Sequence, residues 1–144
     1  RSGLRLMFLL DTNVVSEYRK IQSNKADPNF VSWQQNIMPH LLYISAVTLM
    51  ELNIGVLAKE RKDKATGLIL RAWLENKVIP AFEDRILPID ADVALICSEM
   101  HVPNNKSFRD AFIGATAKSN NMKLVTRNVA DFKDMNISII NPWE

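Results

Sequence analysis

Three acidic residues stand where a charged side chain would meet apolar neighbours. Asp11 ends the apolar run Met7–Leu10. Glu51 lies inside the largely apolar segment Ala46–Ala58, and Asp110 opens a run of small and apolar residues. Burying an unpaired carboxylate costs free energy or shifts its pKa, so these acids need partners. A shared divalent cation is the simplest common partner, because carboxylate oxygens suit Mg²⁺ and Mn²⁺.

Each acid also has an ordinary structural explanation. Asp11 can cap the helix that follows it, and Glu51 can reach solvent from the edge of a helix. Asp110 can form a capping box with Ser107. Helical spacing groups Glu51 with Val47, Met50 and Ile54, and groups Asp110 with Ile113, Gly114 and Ala117. We expect both faces to point inward, the first because its helix is apolar on nearly every side and the second because small residues permit close packing.

A polar cluster follows an apolar run near the carboxyl end of the chain. The segment Lys123–Thr126 is typical of a strand, and Asn128 and Asp131 come soon after it. Turn chemistry also favours Asn and Asp at such positions. No single acid is decisive. An acid at a strand end, one within a helix and one at a helix start, together with this cluster, indicate a composite site.

Strand-like and helix-like segments alternate along the chain, without internal repeats or low-complexity linkers. The predicted strands are Met7–Leu10, Leu41–Ile44, Arg85–Ile89, Lys123–Thr126 and Ser138–Ile140. The predicted helices are Val14–Lys20, one beginning at Asp27-Pro28, Ala46–Glu60, Thr66–Lys77, one capped by Asp90 that ends near Met100, and one from Ser107 or Phe108 to Ser119. Strands separated by helices require crossovers, which predicts an α/β fold with a mainly parallel, covered sheet. Ligands collect at the carboxyl ends of such strands, where Asp11 would lie.

Composition is typical of a globular domain. The 144 residues are 47% hydrophobic and 24% charged, with a net charge of +2, which argues against disorder. No run approaches the roughly 18 apolar residues of a membrane span, so we expect no membrane association. The single cysteine, Cys97, excludes an intrachain disulfide and favours a core thiol in a reducing cytoplasm. We expect one domain over residues 7–144, with residues 1–6 an expression remnant or an upstream extension.

Four motifs, in their order along the chain, resemble one known family. They are Leu-Leu-Asp-Thr-Asn at 9–13, Ile-Ser-Ala-Val-Thr-Leu-Met-Glu-Leu at 44–52, Arg-Asp-Ala-Phe-Ile-Gly-Ala-Thr-Ala at 109–117 and Leu-Val-Thr-Arg-Asn at 124–128. This order resembles the PIN domain, in particular the VapC-type toxins of bacterial toxin–antitoxin pairs and their FitB-like subgroup. The closing Asn141-Pro142-Trp143 is also similar to the ending of that subgroup. The resemblance extends from Met7 to Glu144.

The resemblance implies a three-layer α/β/α sandwich that hydrolyses RNA phosphodiester bonds with Mg²⁺, for which Mn²⁺ can substitute. Asp11, Glu51 and Asp110 match the family's three principal acids and are the expected metal ligands. The fourth, more variable acidic position falls on Asn128, where an Asp is expected. Asp131 lies a short turn away and is the alternative metal ligand. Residues expected to support the acids or contact the substrate are Thr12, Asn13 and Thr126.

The resemblance also implies partners, namely a cognate antitoxin that docks a helix and blocks the acidic site, and a second toxin copy in a homodimer. The apolar residues of Val14–Lys20 and Ala46–Ala58, with Trp73 and Leu74, exceed what one small core needs and favour such contacts. The basic run Lys59–Lys64 is suited to guiding an RNA backbone, although most charge runs are simply solvated.

Three other functions compete with this interpretation. A phosphatase with Asp11 as nucleophile would require a second Asp where Asn13 stands. A zinc hydrolase would require clustered His or Cys, whereas His40 and His101 are far apart in the sequence. A noncatalytic module whose acidic pocket receives an arginine from a partner protein stays open. RNA cleavage that a chelator abolishes would distinguish an enzyme from such a module.

Overall fold

The computed structural model describes residues 6–144, in which strands and helices alternate as predicted. The strands are β1 Phe8–Leu10, β2 Leu42–Ser45, β3 Ile86–Leu87, β4 Lys123–Val125 and β5 Ile139–Ile140. The helices are α1 Thr12–Ile21, α2 Pro28–Gln35, α3 Ala46–Lys62, α4 Lys64–Trp73, α5 Ile79–Ala81, α6 Ala91–Met100 and α7 Phe108–Ser119. The expectation that residues 1–6 are a remnant or an extension concerns a stretch outside the described residues, apart from Leu6.

The described strands form one parallel sheet in the order β3-β2-β1-β4-β5. In the central strand, Leu9 pairs with Tyr43 of β2, and Leu10 pairs with Val125 of β4. Crossover helices cover both faces of a parallel sheet, so its central strand is buried on both sides. Phe8 and Leu10 accordingly join one apolar cluster, and Leu9 joins another. The predicted three-layer sandwich is confirmed, and its sheet is wholly parallel.

Different helices cover the two faces of the sheet. Val14 of α1, Phe30 of α2 and Val56 of α3 are buried in the cluster on one face. Ile113 of α7 and Phe132, from the short helical turns after β4, are buried in the cluster on the other. Each such side chain contributes about 1.5–3 kcal/mol when it leaves water. These two clusters hold the strand ends, and therefore the side chains that follow them, in fixed positions.

The predicted helix caps are confirmed. Asp27, Ser45 and Asp90 each accept a backbone N–H from the first turn of the helix that they precede. A cap of this kind typically stabilises a helix by about 1 kcal/mol. Helix α1 begins at Thr12, two residues before the predicted start at Val14. The early start matters because it places the first helical turn directly after the central strand.

The predicted helix Thr66–Lys77 is replaced by three consecutive helical segments. Helix α4 begins earlier, because the Asp63 side chain caps it. It ends at Trp73, and the π-helical stretch Leu74–Val78 leads into α5. A π-helical turn bonds each N–H to the carbonyl five residues back, so it shifts the apolar face that a 3.6-residue period would predict. The sequence pattern therefore identified the helix but not its interruption.

Three further predictions are corrected. The helix that carries Glu51 is not enclosed, because Met50 and Ile54 are 45% and 42% exposed. Leu74, grouped among the surplus apolar residues, is buried in the core. Strand β3 is shorter than the predicted Arg85–Ile89.

The predicted core thiol is confirmed, since Cys97 is buried. Among the described helices, none is long and apolar enough to cross a membrane.

Candidate functional site

Asp11 lies at the carboxyl end of the central strand, and most of its carboxylate is enclosed by hydrogen bonds. The Thr12 backbone N–H donates to Oδ1 at 2.8 Å. The Thr126 hydroxyl and the Asn13 amide donate to Oδ2 at 2.8 and 3.1 Å. Burial raises the pKa of Asp11 and the nearby Glu51 charge raises it further, while these hydrogen bonds lower it. Asp11 therefore caps α1 and also lies at the predicted site. The capping role and a role as metal ligand are compatible.

Thr126 and Asn13 tie the ends of β4 and β1 to each other. The Thr126 hydroxyl, fully buried, donates to Asp11 and accepts the backbone N–H of Asn128 at 3.0 Å. The Asn13 side chain donates to Asp11 through Nδ2 and accepts the backbone N–H of Arg127 through Oδ1 at 3.2 Å. The structure thus brings Asn13 and Thr126, two of the three expected supporting residues, to Asp11. They fix the orientation of its carboxylate and the start of the loop after β4.

Glu51 faces the same strand end from the first half of α3. Its Oε1 accepts the Thr12 hydroxyl at 2.5 Å, and its Oε2 lies 3.5 Å from Nη1 of Arg109. The Thr48 hydroxyl, one turn earlier in α3, lies 3.3 Å from that of Thr12. Sequence reasoning missed Arg109 and Thr48. Their signals were present, because Arg109 adjoins Asp110 and Thr48 precedes Glu51 by three residues, a spacing that shares a helix face.

Asp110 lies in the first turn of α7, and the charges of the other acids affect its pKa. Its pKa is raised to about 6, first by burial and then by the charges of Asp11, Asp131 and Glu51. The Ser107 hydroxyl accepts the backbone N–H of Asp110, but at 3.5 Å this cap is weak. Among the described residues, no donor is hydrogen-bonded to the Asp110 carboxylate, so the reciprocal half of a capping box is not formed. The carboxylate is instead turned toward the acid cluster.

The small-residue face of α7 also behaves as predicted. A Cβ atom at Gly114 would collide with the Met135 sulfur and would lie 3.7 Å from Phe132. The segment after β4 therefore packs closely against α7 at this point. This contact holds Asp131, which immediately precedes Phe132, on the same side of the protein as Asp110.

Asn128 and Asp131, the two candidates for the fourth acidic position, both follow β4. Asp131 contributes to the raised pKa of Asp110, so its charge lies near the cluster. Asn128 and Asp131 are both exposed, and Asn128 precedes a short 3-10 turn without a side-chain capping bond. Its backbone N–H is held by Thr126, so its main chain, rather than its side chain, is fixed at the site.

Other residues considered from the sequence do not join this cluster. Lys59–Lys64 begins eight residues after Glu51 along α3, more than two helical turns away. His40 lies in the turn before β2, at the amino end of the sheet. The ring of His101 packs against Phe108 at 4.7 Å, and its Nδ1 accepts a backbone N–H. A histidine-based zinc site has no support in this arrangement.

The donor set suits a hard divalent cation, although the side chains do not form a closed coordination set. Within residues 6–144, no three His, Cys, Asp or Glu side chains lie close enough to hold one metal ion. The two Glu51 oxygens contact Thr12 and Arg109. Burial and the charges of the neighbouring acids raise the pKa of Asp110, and a bound cation would favour its ionised form. The carboxylate oxygens therefore suit Mg²⁺ or Mn²⁺ chemically, and they would have to draw closer together to hold one ion.

Comparisons with known proteins identify related sequences and structures. Residues 8–137 match the family model described as PIN domain, a range that contains all of the clustered acids. The chain is 34% identical over 143 residues to the VapC ribonuclease Y4jK of Sinorhizobium fredii, covering 96% of this chain and 99% of the relative. It is 34% identical over 142 residues to the toxin FitB of Neisseria gonorrhoeae, covering 95% and 99%. The crystal structure of FitAcB from Neisseria gonorrhoeae superposes with a TM-score of 0.85 and 31% identity, covering 96% and 99%.

Proposed function

This chain belongs to the PIN-domain family, and we propose that it is a metal-dependent endoribonuclease that acts as the toxin of a toxin–antitoxin pair. We propose further that it works in the cytoplasm as a single domain over residues 7–144. Relatives that match it over nearly their whole length are named as a ribonuclease and as a toxin. The observation that carries the proposal is that Glu51 contacts both Thr12, the neighbour of Asp11, and Arg109, the neighbour of Asp110, so that three acids lie at one end of the sheet.

In this proposal Asp11, Glu51 and Asp110 hold Mg²⁺ or Mn²⁺, with Asn128 or Asp131 at the fourth position. When bound, the ion supplies Lewis-acid polarisation of the phosphodiester and lowers the pKa of water. The residues of the chain orient that chemistry. Thr126 and Asn13 fix the Asp11 carboxylate through two hydrogen bonds to Oδ2, so a metal ligand is positioned before substrate arrives. Thr12 orients Glu51 in the same way through its hydroxyl.

A noncatalytic role for the acidic pocket remains the second candidate, because Glu51 already pairs with a guanidinium, that of Arg109. The deciding assay incubates purified protein with end-labelled single-stranded RNA in Mg²⁺, in Mn²⁺ and in chelator. We expect internal cleavage in either metal and none in chelator. RNA that stays intact in both metals, with a protein that still binds its inhibitor, would favour the noncatalytic module. Sequencing the 5′ ends of RNAs after induced expression would then identify the target.

A toxin that folds in its own cell needs an inhibitor, and the structure contains a groove in which an inhibitor can bind. This groove lies between α1, the turn before β2 and the helical stretch from α4 to α5, with a cavity of about 300 Å³. Trp73 and Ile37 are among its apolar lining residues, and Arg19, Lys77 and Arg85 give it positive charge. We propose that the antitoxin docks an amphipathic helix with acidic residues here, and that a following segment reaches the carboxylates.

A side chain that fills this groove should displace the antitoxin. Ala81 lines the groove and is exposed, so Ala81→Arg adds bulk and charge without disturbing the core. We expect Ala81→Arg to weaken binding of the antitoxin encoded by the neighbouring gene by at least about tenfold, since overpacking costs roughly 1–3 kcal/mol. Ala94→Arg, at an exposed position of α6 that does not line the groove, is the matched control. A parent protein that stays monomeric and fully toxic beside that gene product would contradict the docking proposal.

The α3 and α4 helices also expose apolar side chains that fit the proposed homodimer. These are Met50, Ile54, Leu57, Leu68 and Ile69, each more than 40% exposed. We expect Leu68→Glu to convert a dimer, of about twice the 16.4 kDa chain mass, into a monomer in light scattering. Leu95→Glu on α6 is the control, because Leu68 and Leu95 are 72% and 66% exposed. A parent that is monomeric at every concentration, or equal effects of the two variants, would rule out this interface.

A further inference from the structure

We propose that Arg127 and Trp143 form a stacking platform for one unpaired RNA base beside the carboxylate cluster. The inference rests on the proposed function, since it takes single-stranded RNA as the ligand. The Arg127 guanidinium carbon lies 5.4 Å from the centroid of the Trp143 ring. Both residues follow the carboxyl ends of neighbouring parallel strands, β4 and β5. Asp11 follows the carboxyl end of β1, so all three residues lie at the same end of the sheet.

Trp143 is held in one position by its neighbours. Its ring packs on that of Phe30 with centroids 5.5 Å apart and planes inclined by 31°. Its backbone N–H donates to Oδ1 of Asn141 at 3.0 Å, and its carbonyl accepts Nδ2 of Asn29 at 2.8 Å. Phe30 itself is fully buried in the core. Trp143 is therefore a rigid support. The Arg127 guanidinium that lies over its ring loses little conformational freedom when a ligand binds.

Arg127 is linked to the acid cluster through a single side chain. Asn13 accepts the Arg127 backbone N–H at 3.2 Å and donates to Asp11 at 3.1 Å. The Arg127 side chain is exposed, and in the part of the chain that the structure describes its guanidinium forms no hydrogen bond or ion pair. The Arg127 main chain is thus two hydrogen bonds from the expected metal ligand, and its side chain carries a planar cation with unused donors.

Unpaired bases are commonly recognised by stacking on arginine planes and aromatic rings, with the guanidinium donors left for base edges or phosphates. Lysine lacks the plane and would supply charge alone. The molecule contains a matched pair elsewhere, because Arg19 lies 6.0 Å from the Trp73 ring in the groove away from the acids. Replacing Arg127 and Arg19 in separate variants distinguishes stacking of a base at the site from a general effect of losing a cation–π contact.

The test compares two ligands of equal charge, octaadenylate and an eight-residue ribose phosphate chain without bases, by fluorescence anisotropy in chelator. We expect the parent to prefer octaadenylate by at least about fivefold, the lower end of what one stacked base contributes. Arg127→Lys should reduce that ratio toward one while binding of the abasic chain changes less than about twofold. Trp143→Leu, which keeps an apolar cover over Phe30, should do the same. Arg19→Lys should leave the ratio unchanged.

A parent ratio near one, or a ratio that survives Arg127→Lys, would overturn the platform. An equal loss for both ligands would also overturn it, because that result indicates a phosphate contact. Cleavage assays in Mn²⁺ separate this inference from the proposed function. If the parent cleaves RNA but its preference for octaadenylate over the abasic chain does not change in Arg127→Lys, the platform alone is wrong. If Arg127 controls the ratio but the parent cleaves nothing in any metal, the platform stands and the ribonuclease assignment is wrong.

Discussion

Asp11→Asn should abolish RNA cleavage and toxicity while leaving the fold intact. The carboxylate contributes a charge where the metal would bind, and its amide substitute is a poor metal ligand. Because metal polarisation is worth several kcal/mol in the transition state, we expect cleavage to fall by roughly a hundredfold or more. Asn is as good a helix cap as Asp, and α1 should still begin after β1. The removed acid has a raised pKa, so the variant also loses an unfavourable buried charge.

Asp90→Asn is a suitable control for this experiment. Asp90 follows β3 and caps α6 through a 2.9 Å hydrogen bond from the Val93 backbone N–H, but it lies outside the acid cluster. It should retain full activity. Circular dichroism and thermal melts establish that each variant is folded. Cleavage by a folded Asp11→Asn protein at the rate of the parent would contradict the role assigned to Asp11.

Metal ions should stabilise the parent protein, and Glu51→Gln or Asp110→Asn should diminish that gain. A ligand that binds only the folded state stabilises it by about 2.7 kcal/mol at a hundred times its dissociation constant. For a domain of this size, that corresponds to a rise in melting temperature of roughly 5–10 °C. Thermal melts in chelator and in millimolar Mn²⁺ measure the effect. Glu75→Gln, at an exposed acid of the π-helical stretch, should respond to Mn²⁺ like the parent.

The same melts in chelator test the cost of ionising Asp110, which comes from burial and from the charges of the neighbouring acids. The folded-state pKa of Asp110 is raised to about 6, so near pH 5 the folded protein holds a proton that the unfolded chain has largely released. The cost of this charge is therefore present above about pH 6 and disappears as the pH falls toward 4. Asp110→Asn should be more stable than the parent at pH 7.5, and the difference should shrink at pH 4.5. A parent indifferent to every metal concentration, with a pH-independent difference, would argue against a metal site.

Most of the fold could be predicted because local signals agree with it. The apolar runs before Asp11 and Ser45 mark strands, and the side chains of these two residues begin the helices that follow. The π-helical stretch Leu74–Val78 was missed although a local signal follows it, because Pro80 lacks the N–H that an uninterrupted α-helix would need. The exposure of Met50 had no such signal, since an apolar residue on a helix has the same identity whether it faces a core or a partner.

The candidate site was predictable where a residue acts through its type and position in the chain. Asp11, Glu51 and Asp110 are brought to one end of the sheet as expected. The pairing of Glu51 with Arg109 was not expected, because it depends on how the start of α7 faces α3. Asn128 and Asp131 remain the two alternatives for the fourth position, since both are exposed and both follow β4.

The hydrogen bond between Asp11 and Thr126 joins residues 115 positions apart, and this separation sets an order of events during translation. The groove proposed for the antitoxin is lined by residues between positions 15 and 85. All of them have been synthesised before Asp110 is added, and Thr126 and Asp131 come later still. A nascent chain therefore carries the residues of the proposed docking groove before it carries the complete set of proposed metal ligands. If both proposals hold, the surface for the inhibitor is synthesised first and the catalytic centre last.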